Sequence, residues 1–331
     1  MKVKANTSCL SLLMALLLLL SGCQQPVQES ADPQEEISSE NTAEPEAYTF
    51  EDDLGRTVTV EQPARVASLL GSFAEVWMLA GGDICATADD AWEDFGLDLA
   101  EDTVNLGMTK EVDLERLFSA EPDFVIASAN TDANLEMMET LEKAGIPTAY
   151  FDVSDFDDYL HMLKICTDIT GREDLYKQNG LDVQAHIEEV VAQSKQRLEG
   201  HEAPSILLLR ASSASIRAKN SKNNVLGEML ASLGCHNIAD SDAMLLEELN
   251  VESIIALDPD MIFVVPLGDD VSKAEANIDA MFAENPAWRH LSAIQNDRVF
   301  FMDKMLYNFK PNARWGEAYE KLEALLRDHM E

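Results

Sequence analysis

From residue 48 onward, short apolar runs alternate with segments in which apolar side chains recur every three or four positions. The runs have the length of strands buried on both faces, and the periodic segments have the stripe of helices with one buried side. Residues 48–60 alternate apolar and polar positions around Asp53-Leu54-Gly55 and read as a β-hairpin. Strands are then expected at 65–70, 83–88, 123–128 and 148–151. Helices are expected from Ser72, as cap, to Ala80, where Gly81-Gly82 stops it, and at 112–120, 134–144 and 156–170. The second half repeats the alternation, with strands at 205–210, 260–265 and 298–302 and helices at 224–233, 251–257 and 312–330. Alternation of this kind argues for two parallel-sheet α/β lobes.

Between the halves, Leu175, Leu181, Val183, Ile187, Val190, Val191 and Leu198 form one helical stripe. A helix of about 25 residues spans about 37 Å, enough to lie across two lobes as a rigid connector. Two shorter helices broken at Asn179-Gly180 would fit the same residues. The halves also resemble each other. Residues 114–126 align with 251–263, and in both a helix ends at an acid-Pro-Asp turn before a buried strand. Proline explains the break, since it cannot continue a helix and disfavours helix in the residue before it. A duplicated lobe leaves a cleft between near-equivalent halves, and ligands favour such interfaces and the carboxyl ends of parallel strands. The expected division is therefore a lobe over 48–171, a linker helix over 172–200 and a second lobe over 201–331.

The start of the chain changes the picture. Lys2 and Lys4 precede an apolar run from Leu10 to Leu20, and small residues follow. That is an export signal, too short to span a bilayer comfortably. Leu20-Ser21-Gly22-Cys23 resembles the bacterial lipoprotein box, which implies cleavage after residue 22 and a diacylglycerol on the Cys23 sulfur. The apolar run alone would equally suit an ordinary secretory signal. Two or more acyl chains anchor stably where one is marginal. Residues 24–47 hold seven acids and no base and read as a disordered spacer.

The 331-residue chain carries 24 basic and 61 acidic residues, a formal charge of -37. Such a surface repels nucleic acid and anionic headgroups, so nucleic-acid binding is excluded and membrane contact is expected through the anchor alone. Cys85, Cys166 and Cys235 lack any C-x-x-C spacing, which argues against a disulfide scaffold or a zinc or iron–sulfur site. No G-x-S-x-G, H-E-x-x-H, P-loop or dinucleotide fingerprint occurs, so no enzyme is indicated, and no cofactor is expected.

Residues 53–68, the two acid-Pro-Asp turns, Asn285-Pro286-Ala287-Trp288, residues 297–301 and residues 311–319 occur in an order that resembles the helical-backbone class of ABC-importer solute-binding proteins. That family includes receptors for cobalamin, ferric siderophores and haem. The resemblance covers the chain from about residue 48. It implies a monomeric, extracytoplasmic receptor for a metal chelate, handing its ligand to a permease dimer. It also implies that Glu75 and Glu228, at matching places in the two lobes, pair with arginines of that permease. Each follows a strand and sits early in a helix, where an acid also complements the helix dipole. A surface scaffold without transport role is the competing class; it leaves the duplication around a cleft unexplained.

Within so acidic a chain, two acid-free stretches stand out. Residues 203–227 contain Arg210, Arg217, Lys219 and Lys222, and residues 304–316 contain Lys304, Lys310 and Arg314. Both begin at expected strand ends, where cleft loops lie. Basic groups there suggest an anionic ligand, although solvated loops of chance composition would look the same. Lys110 and Asn130 are further contact candidates, and Trp92, Met108 and Tyr307 are candidate apolar walls. Met108 and Tyr307 are also the candidate axial ligands should the chelate be haem. The six histidines are scattered, which disfavours capture of a bare metal ion.

Overall fold

The computed structural model describes residues 47–268 and 270–329. The export signal, Cys23 and the acidic spacer lie outside the described residues. The described residues cluster as one compact unit.

The hairpin forms as β1 (Tyr48–Glu51) and β2 (Thr57–Val60), paired antiparallel with Tyr48 opposite Val60. Its turn is held from inside. The buried Asp52 carboxylate accepts from the backbone N–H groups of Leu54, Arg56 and Tyr150 and pairs with Arg56 at 2.9 Å. Gly55 takes φ of 73°, the left-handed conformation that favours glycine. The backbone N–H of Asp53 reaches the Tyr150 carbonyl and the Asp53 carboxylate accepts from Asp152 N, so the turn is stitched to the edge of the first lobe.

That lobe contains β3 (Val66–Ser68), α1 (Gly71–Leu79), β4 (Ile84–Thr87), α2 (Asp90–Glu93), β5 (Val104–Asn105), α3 (Leu114–Ser119), β6 (Phe124–Ser128), α4 (Asp132–Glu136), α5 (Met138–Ala144), β7 (Thr148–Phe151) and α6 (Phe156–Thr170). Its five strands are all parallel, in the order β5-β4-β3-β6-β7. Helix α1 differs from expectation at its start. Its cap is Leu70, not Ser72, and the Gly71 N–H is satisfied by the Asp90 carboxylate at 2.9 Å. Gly71 is required there, since a Cβ would fall 2.5 Å from the Ala91 backbone nitrogen.

The connector is a single helical run. Helix α7 (Glu173–Tyr176) passes through a π-turn (Lys177–Leu181) into α8 (Asp182–Leu198), with no residue leaving the right-handed region at the junctions. At 1.5 Å per residue the run is about 39 Å long. The Asn179-Gly180 pair is where the π-turn sits, not a break. Gly180 lets α6 approach, since a Cβ would lie 2.7 Å from Leu160 Cδ1. The Asn179 side chain ties the turn to the Leu79 carbonyl, and its own carbonyl accepts from Tyr159 Oη.

The second lobe runs β8 (Ser205–Ala211), β9 (Ile216–Lys219), α9 (Val225–Ser232), β10 (His236–Asn237), α10 (Ile238–Ser241), α11 (Met244–Glu247), α12 (Val251–Leu257), β11 (Met261–Pro266), α13 (Val271–Glu284), α14 (Ser292–Gln295), β12 (Val299–Phe301), α15 (Lys304–Tyr307) and α16 (Trp315–His329). Strands β10-β8-β11-β12 are parallel, and β9 folds back antiparallel on β8, an element the apolar pattern did not announce.

The duplication is visible in hydrogen bonds as well as in sequence. Asp123 and Asp260 each accept from the backbone at the start of the lobe's first sheet strand: Asp123 from Ala64 N and Arg65 N, Asp260 from Ser205 N. Asp113 and Asn250 cap the equivalent helices α3 and α12. Glu121 and Asp258, the residues before the two turn prolines, both adopt positive φ, 47° and 37°.

One core joins the lobes. Phe73, Trp77 and Tyr159 of the first lobe, Ile187 and Val190 of α8, and Leu226, Met229, Trp315 and Leu322 of the second belong to the same buried cluster. Separate clusters fill the far sides of the sheets. With α6, α8 and α16 sharing one core, large hinge motion would expose apolar surface at about 25 cal/mol per Å², so the lobes are built to move little.

Candidate functional site

The segments that follow β3 and β4 in the first lobe meet the segment that follows β12 in the second. Lys304 Nζ lies 2.7 Å from Asp94 Oδ1, both side chains less than 20% exposed. Beside them the rings of Phe95 and Phe309 approach to 5.8 Å. Asn312, fully buried, donates from Nδ2 to the Ser72 carbonyl at 2.9 Å and to Glu75 Oε2 at 2.6 Å.

Three of the basic candidates lie close enough to influence one another's ionisation. Arg210 is the next-to-last residue of β8, paired on both sides by β9 and β11, Lys219 ends β9, and Lys310 follows α15. The β8–β9 register puts Leu208 opposite Lys219 and Arg210 opposite Arg217, so Arg210 and Lys219 share one sheet face. Burial lowers the pKa of Arg210, as it does for Lys219, where Arg210 adds to the effect. Lys310 is also lowered by burial and by Arg210, with Asp152 and Asp90 pulling the other way. Arg210 Nε is buried with no hydrogen-bond partner. Among the described residues, no side chain or backbone group hydrogen-bonds or ion-pairs with the head groups of Arg210, Lys219 or Lys310. Buried donors in proteins are nearly always paired, so Arg210 Nε stands out, with the half-buried Lys219 and Lys310 nearby.

From the first lobe come Asp90, Asn130 and Asp152. Burial pushes the Asp90 carboxyl up to about 6, against the Gly71 N–H and with help from Asp89 and Asp94. Asn130 is exposed and donates its amide to Asp152, which also receives the Ser154 hydroxyl at 3.1 Å. The acids, including the Asp94 partner of Lys304, were not among the expected site residues. Their signal was hidden in a chain so rich in acids.

Other candidates fall elsewhere. Trp92 is half-buried on α2, and Met108 and Lys110 are exposed after β5. Tyr307 is corrected: it is a core residue whose hydroxyl donates to the Ala318 carbonyl at 3.0 Å, so it offers neither a cleft wall nor a free phenol. Arg217, opposite Arg210 in the β8–β9 register, is exposed and its head group donates to the Glu247 carbonyl. Lys222 is also exposed. Arg314 is exposed, forks onto Glu317 at 2.8 and 3.2 Å, and lies close enough to Glu75 to oppose the rise that burial imposes on its carboxyl.

The two matched glutamates differ in setting. Glu75 is held by Asn312, and burial outweighs that bond to raise its pKa. Glu228, also raised by burial, accepts from Asn223 N and borders a groove of about 280 Å³ with Asp155, Asp157, Glu188 and Tyr319.

Among the described residues no group of three or more His, Cys, Asp or Glu is placed to hold a metal ion, and no helix is long and apolar enough to cross a membrane. Two α/β lobes, a shared helical spine and a cleft with unpaired cations define a two-lobed ligand receptor.

The comparisons agree with that class. Residues 66–306 match the family described as periplasmic binding protein, and the chain belongs to that family, as a substrate-binding protein of the kind that serves ABC importers. The Fe(3+)-citrate-binding protein YfmC of Bacillus subtilis is 24% identical over 302 residues, covering 89% of this chain and 88% of that one. The periplasmic haem-binding protein RhuT of Roseiflexus superposes with a TM-score of 0.66 at 19% identity, over 81% of this chain and 99% of that one. Staphylococcus aureus SirA, complexed with staphyloferrin B, gives 0.64 at 19% identity, over 86% and 98%. The family consists of binding proteins, not enzymes.

Proposed function

We propose that the protein captures an anionic ferric chelate bearing carboxylates and delivers it to an ABC permease dimer, tethered to the outer face of the cytoplasmic membrane through a lipid on Cys23. The observation that carries the ligand reading is the convergence of Arg210, Lys219 and Lys310 with no acceptor for any of them. Guanidinium and ammonium groups in a desolvated cleft favour carboxylate or other oxyanion partners. The relationship to a ferric-citrate binder supports the same chemistry. Haem has less support, because Tyr307 is committed to the core and Met108 points to solvent-exposed surface.

The proposed division of labour is a lobe over 48–171, a spine over 172–200 and a lobe over 201–331, acting as a monomer. Glu75 and Glu228 are the proposed permease contacts.

Calorimetric titration of the mature protein with ferric citrate tests the ligand reading. Arg210→Met is expected to weaken binding at least about tenfold, the scale of one lost charge-assisted bond. Unchanged affinity would refute it. Charge reversal at both Glu75 and Glu228 is expected to abolish uptake while leaving ligand affinity intact, and surviving uptake would sink the docking assignment.

A further inference from the structure

The lobes are joined in two ways. Along the spine, residues of α6, α8 and α16 share one buried core. The second joint is a segment of the second lobe, residues 304–312, laid against the turn that follows α2 in the first. Lys304 Nζ reaches Asp94 Oδ1 at 2.7 Å, the Phe309 and Phe95 rings approach to 5.8 Å, and Lys304 Nζ also lies 5.3 Å from the centre of the Phe309 ring. Asn312 ends the segment on the Ser72 carbonyl and the Glu75 carboxylate.

Both halves are braced before they meet. In the first lobe, the backbone N–H groups of Asp94 and Phe95 donate to the Asp90 carbonyl at 2.9 and 3.0 Å, and Gly96, at a φ of 57°, turns the chain directly after Phe95. In the second, the N–H groups of Asn308 and Phe309 donate to the Lys304 carbonyl at 3.0 and 2.9 Å, which presents the Lys304 and Phe309 side chains together. Parting the shared core would expose apolar surface. Parting one ion pair and one ring pair costs far less, so this joint is where local opening is cheapest. It also lies where parallel sheets hold ligands, since Asp94 and Phe95 come after β4 and Lys304 after β12.

We propose that residues 304–312 are a releasable strap, and that Asp94, Phe95, Lys304 and Phe309 set the rate at which ligand enters and leaves without touching it. The inference rests on the chelate being held between the lobes and adds the step that governs its exchange. Opening a strap admits and releases alike, so kon and koff change together and their ratio moves little. Loss of a ligand contact raises koff alone. Removal of an acid acting on an anionic chelate through charge alone raises kon and lowers koff.

Stopped-flow mixing of the mature protein with ferric citrate, read by tryptophan fluorescence, separates these cases. Trp92 stands on α2, two positions before Asp94. Asp94→Asn and Phe309→Ala are each expected to raise kon and koff together by about fivefold, the rate equivalent of one lost ring pair or partly buried ion pair, with Kd changed by less than about threefold. Thermal melts confirm folding, and if either variant fails to fold, Phe95→Leu reads the same step from the first lobe. Unchanged rates overturn the inference, and so does a rise in koff with kon constant or a fall in koff. If the parent protein does not bind ferric citrate, the chelate reading falls and this falls with it. If Arg210→Met weakens binding while the strap variants keep the parent's rates, only the strap fails.

Discussion

Asn312 is the residue whose removal the structure prices most clearly. It is fully buried at a φ of 53°, and one amide group serves two acceptors across the lobes, the Ser72 carbonyl and the Glu75 carboxylate. Asn312→Ala leaves both acceptors without their donor. A bond to a charged group is worth about 1.5–3 kcal/mol and a neutral one about 1. Placing alanine in the left-handed region, where asparagine is tolerated, adds about 1 kcal/mol. Against this, Asn312 Oδ1 is itself buried without a partner, so its removal returns about 1 kcal/mol. The net expectation is a loss of about 2.5–4 kcal/mol. Asn312→Gly loses the same bonds without the backbone strain and should cost about 1 kcal/mol less. Urea unfolding of the mature protein, followed by the fluorescence of buried Trp77 and Trp315, measures both. A loss under about 1 kcal/mol for the alanine variant, or a glycine variant as damaged as the alanine one, refutes the reasoning.

Asp90 makes stability depend on pH. Its folded pKa of about 6 lies above the unfolded value near 3.8, so the folded state holds the proton longer. This group's contribution therefore falls as pH rises from about 4 to about 6 and stays lost above that. Asp90→Asn keeps an acceptor for Gly71 N and should stabilise the protein by up to about 2–3 kcal/mol at pH 7 and by nothing near pH 3.5, as unfolding at the two pH values will show. The Lys304–Asp94 pair is half-buried and joins the lobes, and a double-mutant cycle with Lys304→Met and Asp94→Asn should return a coupling of about 1–2 kcal/mol; a value near zero would mean that the bridge does not hold the lobes. Gly71→Ala drives a Cβ into the Ala91 backbone, and an overpacking cost of about 1–3 kcal/mol is expected in thermal melts, with weaker chelate binding because Asp90 shifts with α2.

Much of the architecture was legible because it is written in local patterns. The helix at 156–170 has the bounds read from its apolar period, and the strand at 148–151 those read from its apolar run. The acid-Pro-Asp turns announced themselves through proline's fixed geometry, and the hydrogen bonds of Asp123 and Asp260 show why an aspartate follows each. Strand β9 was not legible: it is four residues long, and Arg217 and Lys219 on one of its faces interrupt the apolar pattern. The π-turn at Asn179-Gly180 looked like a break for a related reason. What continues the helix there is the fit of Gly180 against Leu160 and the bond from Asn179 to Leu79, one hundred residues away in sequence.

The chain's own order of residues was enough for the strand–helix alternation, the likeness of the two halves and the long spine, since each is written in short local patterns. Which basic residues share the cleft depended on folding. Arg210, Lys219 and Lys310 converge, whereas Tyr307, Arg217 and Arg314 are drawn to the Ala318 carbonyl, the Glu247 carbonyl and Glu317. Asn312 meets Glu75 across 237 positions and Lys304 meets Asp94 across 210. Periodicity reports whether a side chain is buried; only the packing of the two sheets against one spine determines what it is buried against.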